Sequence, residues 1–469
     1  GGAGGGAGGG GDDGGTGGGS GGGAGGGTGG GTGGGVGGGT GGGFTGLVTL
    51  NFVAQASGGV TGEIAFWDGG AVCSGGASSC SLMLPVGTEL RLHANPTHPW
   101  ATFVRWTGPA SCGGAPHGGC LTTVDAPATI TAEFDRPNLF FVSAETRVPA
   151  SIASFGEPST VLDAWCNDLA RDAGLPGTFA AWVGYLPQDG GMAYNILNRT
   201  SAARGWIRPD GRPVFDELGT INQPNIDQPM YLPSLTQHGL PVAFSEQVAT
   251  GLQGTSVGTA GHCNAFSSSA TLFSGVPTMG GGRWSQAQAL SSSCDQVHHF
   301  YCLGLDRSVP VLIDRTVAVR RAFLSTHPFV IGDGGIAAAD AHCQADPRVD
   351  GGTFLALVPA GGLPAPSRFP PGPPWARPDG VVVVTRPMLD FITGALLAPL
   401  DNTPGVLPGT GLAFFGASGP AVGAAPCNDW ASTSGIVGQA WAYATDSRWA
   451  FVANISCNVT SHRLYCFEP

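Results

Sequence analysis

The chain has 469 residues, of which 83 are Gly, 36 Pro and 12 Cys, and only 11% are charged. All 20 basic residues are Arg, and 32 acidic ones bring the formal net charge to -12, which excludes nucleic acid, heparin and anionic lipid as main partners because those need basic patches. No apolar run reaches the roughly 18 residues of a membrane-spanning helix, and twelve Cys without C-x-x-C or zinc-finger spacing read as six disulfides formed in an oxidising compartment, with no cofactor.

Residues 1–43 are almost entirely Gly, with non-Gly residues every fourth position from Thr16 to Phe44. Collagen needs Gly every third residue, so a triple helix is excluded. Such a chain buries nothing against its ordering entropy and is expected to be a disordered, flexible tether spanning about 35 Å. A lipid anchor upstream of Gly1 would suit it.

Residues 44–136 alternate apolar and polar positions in short runs such as GLVTLNFVA, GTELRLHA and TITAEF, separated by Gly/Pro/Ser turns. This is strand patterning. Cys73 and Cys80, and Cys112 and Cys120, lie close together in turn-like segments and are expected to close two local loops. The run FVRWTGPASCGGAPHGGCLTTVDAPATITAEF at 103–134 resembles the divergent internalin-B-type repeat of bacterial surface proteins. That resemblance implies a small all-β, β-grasp-like spacer without chemistry of its own.

Residues 137–469 hold an internal repeat. AWCNDLARDAGLPGTFAAWVG (164–184) parallels AHCQADPRVDGGTFLALV (341–358), and WIRPDGRPV (206–214) parallels WARPDGVVV (375–383). CNAFSSS (263–269) parallels CNDWAST (427–433), and CDQVHHFYCLG (294–304) parallels CNVTSHRLYCFE (457–468). LFFVSA at 139–144 is aligned with PFVIGD at 328–333, which starts the second copy near 325. The Cys spacings are 97, 31 and 8 in one copy and 84, 30 and 9 in the other. Four Cys allow three connectivities per copy. Val161, Leu162, Trp165 and Leu169 share a helical face that Gly174 ends, and the last Cys of each copy lies in a terminal strand.

A helix bearing the first Cys, a long loop-rich middle and a closing Tyr-Cys strand resemble the C-type-lectin-like fold. More specifically, both copies resemble a bacterial domain-of-unknown-function family related to endostatin. The resemblance implies nested bridges: Cys166–Cys302, Cys263–Cys294, Cys343–Cys466 and Cys427–Cys457. The expected organisation is a tether (1–43), the β module (44–136) and two α+β C-type-lectin-like domains (137–315 and 316–469). Endostatin's heparin binding does not carry over, because residues 138–315 hold 14 acidic residues, nine Arg and no basic run.

Candidate chemistry is sparse. Gly-Thr-Ser-Val-Gly at 254–258 fits the G-x-S-x-G nucleophile elbow, but Ser256 lies in a loop of small residues and not between a strand and a helix. His298 and His299 are adjacent, so on a strand they face opposite sides and do not chelate together; His262 beside Cys263 reads likewise as structural. Calcium-binding lectins use a carboxylate/amide cage. Gln223-Pro224-Asn225 and Asn428-Asp429 are its only echoes here, and they sit in different copies. Arg208 and Arg377, in the two Arg-Pro-Asp-Gly turns, are expected to pair a nearby carboxylate. The reading is a non-catalytic, secreted or cell-surface adhesion protein that recognises an extracellular protein or glycan through ligand residues the sequence does not reveal. Its alternatives are a calcium-dependent lectin, a formylglycine-generating-type enzyme on a related fold, which would need Cys outside the disulfide frame, and a structural envelope or spore-coat protein.

Overall fold

The computed structural model describes residues 46–469 apart from 74–77, 110–111, 113–118, 219–228, 244, 253–256, 258–260, 281, 286–290, 312, 314–317, 333, 386–394, 402–410 and 420. The tether reading of 1–43, Ser256 and Gln223-Pro224-Asn225 lie outside the described residues. The described chain is mostly β-sheet with few helices (14% helical), arranged in several sheets.

The first seven strands form the N-terminal module. Strands β1 (Leu47–Ala56), β2 (Gly62–Phe66), β3 (Ser79–Pro85), β4 (Glu89–Pro96), β5 (Thr102–Thr107), β6 (Gly119–Thr123) and β7 (Ala128–Asp135) make two sheets, β3-β1-β7-β5 and β2-β4-β6. Alternation along the strands sends Leu50, Phe52, Ile64, Leu90, Leu92, Ile130 and Ala132 into one core between them. The bridges Cys73–Cys80 and Cys112–Cys120 close local loops on it.

Two copies of one architecture follow. In the first, β8 (Asn138–Val142), β9 (Phe179–Ala181), β12 (Trp206–Ile207), β13 (Pro213–Phe215) and β17 (Tyr301–Gly304) form a sheet in the order β13-β12-β8-β17-β9. A hairpin of β10 (Gly184–Tyr185) and β11 (Tyr194–Asn195) projects from it, and β14 (Val248–Ala249), β15 (Thr271–Gly275) and β16 (Ser291–Ser293) form a second sheet. In the second copy, β18 (Arg320–Leu324), β19 (Leu355–Ala356), β20 (Trp375–Ala376), β21 (Val382–Val384) and β25 (Arg463–Phe467) repeat the main sheet. Strands β22 (Leu412–Phe414), β23 (Ile436–Trp441) and β24 (Ala453–Ser456) extend it.

Each copy has one main helix, Pro158–Asp172 and Gly335–Gln344. The first begins with Pro at its first turn and Glu157 as N-cap, and it buries Leu162, Trp165, Cys166 and Leu169. The four remaining bridges join Cys166 to Cys302, Cys263 to Cys294, Cys343 to Cys466 and Cys427 to Cys457. The first and last Cys therefore tie the helix to the terminal strand in both copies.

Hydrogen bonds set the register between the copies. Phe300 N donates to Ser143 Oγ (2.9 Å) and Leu464 N to Ser325 Oγ (3.0 Å). Trp206 Nε1 donates to Gly304 O (2.9 Å) and Trp375 Nε1 to Glu468 O (2.7 Å). Tyr301 OH donates to Trp284 O (2.6 Å) and Tyr465 OH to Trp449 O (2.7 Å). This corrects the repeat alignment at its start. Leu139-Phe140-Phe141-Val142-Ser143 corresponds to Arg321-Ala322-Phe323-Leu324-Ser325, and not to the 328–333 run, because Val142 opposes Tyr301 exactly as a strand partner and Leu324 opposes Tyr465 in the same way.

The three segments pack on one another. Buried Arg136 donates to Gly58 O (3.0 Å) in the β module and to Asp306 (3.0 Å) in the first copy. Trp100 Nε1 reaches Pro209 O (2.8 Å) in the first Arg-Pro-Asp-Gly turn. That turn also needs Gly211, whose φ is +84° and whose added Cβ would lie 2.4 Å from Pro99 O. Tyr231 of the first copy sits inside the core of the second, with its hydroxyl accepting from Val382 N (3.1 Å). Nearby, Gly280 N donates to Tyr443 O (2.7 Å), and the Arg283 guanidinium lies 4.1 Å from the Tyr443 ring centre.

Candidate functional site

The strongest local anomaly sits at the second Cys of each copy. Cys263, Asn264, Ala265 and Phe266 have φ of 54°, 48°, 56° and 57°. Cys427, Asn428, Asp429 and Trp430 have 55°, 51°, 54° and 69°. Each is one turn of left-handed helix, closed by Phe266 N to His262 O (2.9 Å) or Trp430 N to Pro426 O (2.9 Å). L-residues pay about 1–2 kcal/mol each for this conformation, and strained backbone of this kind concentrates at functional sites. The turn is held by a disulfide on one side and by a buried ring, Phe266 or Trp430, on the other.

In the first copy this turn forms part of the wall of an open cleft of about 510 Å³. One wall is the 3₁₀ helix Pro149–Phe155, contributing Ala150, Ala153 and Ser154. Opposite it is the start of the β10–β11 hairpin, with Tyr185, Pro187, Gln188 and Asp189. Ala265 and Ser267 come from the left-handed turn, and Glu157 and Pro158 from the helix start. Gln188 Nε2 donates to Asn264 O (3.1 Å) and contacts Ser267 Oγ, which ties hairpin to turn. Tyr185 stacks on Tyr194 with ring centres 5.0 Å apart and stiffens the hairpin base. Burial alone would raise the Glu157 carboxyl, but hydrogen bonds from Ser159 and Thr160 outweigh it and hold the group below the usual carboxylate range.

Among its described residues the second copy has neither wall. The chain from Pro359 to Leu363 replaces the hairpin with a short turn in which Ala360 and Leu363 bridge, and no 3₁₀ helix precedes Gly335–Gln344 among the described residues. Asp429 accepts the Gly361 amide with both carboxylate oxygens (3.0 and 3.2 Å). The Asn428-Asp429 candidate for calcium thus serves as a loop tie. Among the described residues, no group of three His, Cys, Asp or Glu side chains is placed to hold a metal ion.

The other described candidates each hold neighbouring groups. His262 Nδ1 accepts Ala265 N (3.0 Å) and caps the left-handed turn. His299 places Nδ1 2.6 Å from Ser143 O and Nε2 against Glu246, while buried His298 points a ring nitrogen at Ser293 O (3.3 Å). Arg208 pairs with Asp210 (3.0 Å) and Arg377 with Asp379 (2.8 Å), each inside its own turn, and each reaches a second loop at Leu232 O (3.2 Å) or Pro399 O (2.8 Å). All twelve Cys are in disulfides, consistent with an extracellular protein, and no helix among the described residues is long and apolar enough to cross a membrane.

The hairpin wall of the cleft falls in the long segment between the first and second Cys, within the run WVGYLPQDGGMAYN (182–195), while the wall from Pro149–Phe155 lies outside it. The sequence mark of the hairpin is the extra length of the first copy between the first and second Cys, 97 residues against 84. No protein-family model matches the chain, and no curated protein does.

Proposed function

We propose that the chain is a non-catalytic extracellular binding protein, in which a β-grasp-like module carries two tandem endostatin-related, C-type-lectin-like domains. The nested disulfides, the helix bearing the first Cys and the closing Tyr-Cys strand support the domain reading. Secretion or display at the outer surface, on a Gly-rich tether with an optional lipid anchor, fits the six bridges. The ligand is an extracellular macromolecule, and it enters the cleft of the first domain.

One observation carries the assignment of the cleft. Two domains share a frame down to individual hydrogen bonds, yet the 3₁₀ helix and the hairpin are additions to one of them and converge on one strained turn. Added walls that make a concavity are what a binding site requires, and the second domain then serves as support.

The test is binding of the purified full chain to cell-surface and matrix preparations, compared with Ala153→Arg, which fills the cleft from its half-buried wall. The wild type should bind and the variant should lose most of that binding with its melting temperature kept. Equal binding by a folded variant would refute the cleft as the site.

A further inference from the structure

We propose that the first-domain cleft accepts a basic side chain, arginine or lysine, presented by an extracellular protein partner. The proposal rests on the cleft being the ligand site and adds the chemistry of what enters it.

The lining determines the sign of the charge. Glu157 and Asp189 contribute carboxylates, and no Arg or His lines the cleft among the described residues. Glu157 caps its helix through Oε2, which receives Thr160 N (2.8 Å) and the Ser159 and Thr160 hydroxyls. Asp189 uses Oδ1 for Gly191 N (3.0 Å). These bonds fall on one oxygen of each carboxylate, Oε2 of Glu157 and Oδ1 of Asp189. An arginine or lysine also has an aliphatic stem, and Ala150, Ala153, Pro158 and Pro187 offer apolar wall for it. The volume, about 510 Å³, suits one long side chain with some of its backbone.

The two added elements point to a protein as the bearer of that side chain. Phe155, at the end of the 3₁₀ helix, is 70% exposed, and Met192, in the hairpin loop, is 94% exposed. Large apolar side chains on elements that already form a cleft supply contact area for a macromolecule around the charged anchor. A free small cation would make no use of them. In the second domain the left-handed turn carries Asp429 where the first has Ala265, and that acid commits both oxygens to Gly361 N.

The probe is a fluorescein-labelled peptide Gly-Arg-Phe-Arg-Gly, measured by anisotropy with the full-length protein, alongside versions carrying Gln or Glu in place of Arg. The Arg peptide should bind, and its affinity should fall about tenfold in Asp189→Asn and in Glu157→Gln, as expected when one close opposite charge is lost. It should also weaken with added salt, whereas the Gln and Glu peptides should not bind. Asp189 is exposed, and Asn keeps the oxygen that accepts Gly191 N, so this variant should fold even if Glu157→Gln loosens the helix start. Asp172→Asn removes the same charge from the exposed end of the helix and should have no effect. Failure of the Arg peptide to bind, undiminished binding to Asp189→Asn, or an equal loss in Asp172→Asn would each overturn the proposal. If the peptide fails while Ala153→Arg still abolishes binding to surface preparations, only the cationic chemistry falls. If Ala153→Arg has no effect there, the cleft itself is not the site.

Discussion

Asp163 and Asp340 occupy the same position in the two copies and do the same work. Each lies in its copy's helix, uses Oδ1 to accept the amide of a strand residue (Ala181 at 2.9 Å, Ala356 at 3.0 Å), and uses Oδ2 to hold an arginine from a 3₁₀ turn, Arg199 or Arg368. Helix, strand and loop are thus joined at one carboxylate. Asn167 and Gln344 add a second tie beside it, accepting the amides of Phe179 and Phe354 at 2.9 Å each.

The ion pair should matter more in the second copy. The arginine is the deeper partner there, with Arg368 15% exposed against 39% for Arg199, while the two acids are alike at 23% for Asp340 and 17% for Asp163. Removing Asp340 leaves a partly buried guanidinium and a strand amide without their acceptor, so Asp340→Ala should cost about 2–3 kcal/mol. Asp163→Ala should cost less. Urea denaturation of both variants checks the ranking, and an Asp340/Arg368 double-mutant cycle should show positive coupling.

Joint unfolding of the two copies should depend on Tyr231. Its ring is 7% exposed and belongs to the second copy's core. Loss of a large buried aromatic ring costs about 3–5 kcal/mol, so Tyr231→Ala should split a single calorimetric transition into two. A fragment starting at residue 325 should fail to fold, because it lacks β18, the partner of the terminal strand.

Acid should destabilise the protein earlier than its carboxylates require. Burial lowers the pKa of His262, His298 and His462, so each takes up its proton at lower pH in the fold than in the unfolded chain. The unfolded chain takes up protons on these residues below about pH 6.5 and the folded one only at lower pH, so stability is full above that value and is lost as pH falls towards the folded values. Each such proton contributes up to about 1.4 kcal/mol per pH unit. Melting temperatures from pH 8 to 5 should fall, and His298→Leu with His462→Leu should flatten the slope. Asp346 follows at much lower pH. Burial would raise it, but hydrogen bonds from Arg348 and Thr326 hold it at about 2, so its contribution is lost only as pH drops from its ordinary range near 3.8 towards that value.

Opening Cys263–Cys294 should release the left-handed turn. The bridge spans 31 residues, and removing such a bridge costs about 2–4 kcal/mol. In Cys263→Ser with Cys294→Ser, the amides of Phe266 and Ser267, now donated to His262 O and Cys263 O, should exchange with solvent far faster than in the parent. Unchanged protection would mean that packing of Phe266 alone holds the turn.

Much of the architecture could be read locally. Four Cys in a repeated frame marked the duplication, the spacing of Leu162, Trp165 and Leu169 marked the first helix, and Arg-Pro-Asp-Gly marked the turns, because each depends on neighbours within a few residues. The alignment of the first repeat strand failed for the opposite reason. Two apolar runs, 322–324 and 328–331, compete as its counterpart, and only pairing with the terminal strand more than 130 residues away selects between them. The left-handed turns had no sequence mark either: a Cys, an Asn and a buried aromatic residue adopt positive φ because a distant disulfide and a packed core hold them there. The Asp163–Arg199 tie, the insertion of Tyr231 into its neighbour and the cleft itself all join segments that meet only when the sheets close, so their energies come from contacts that composition and periodicity do not encode.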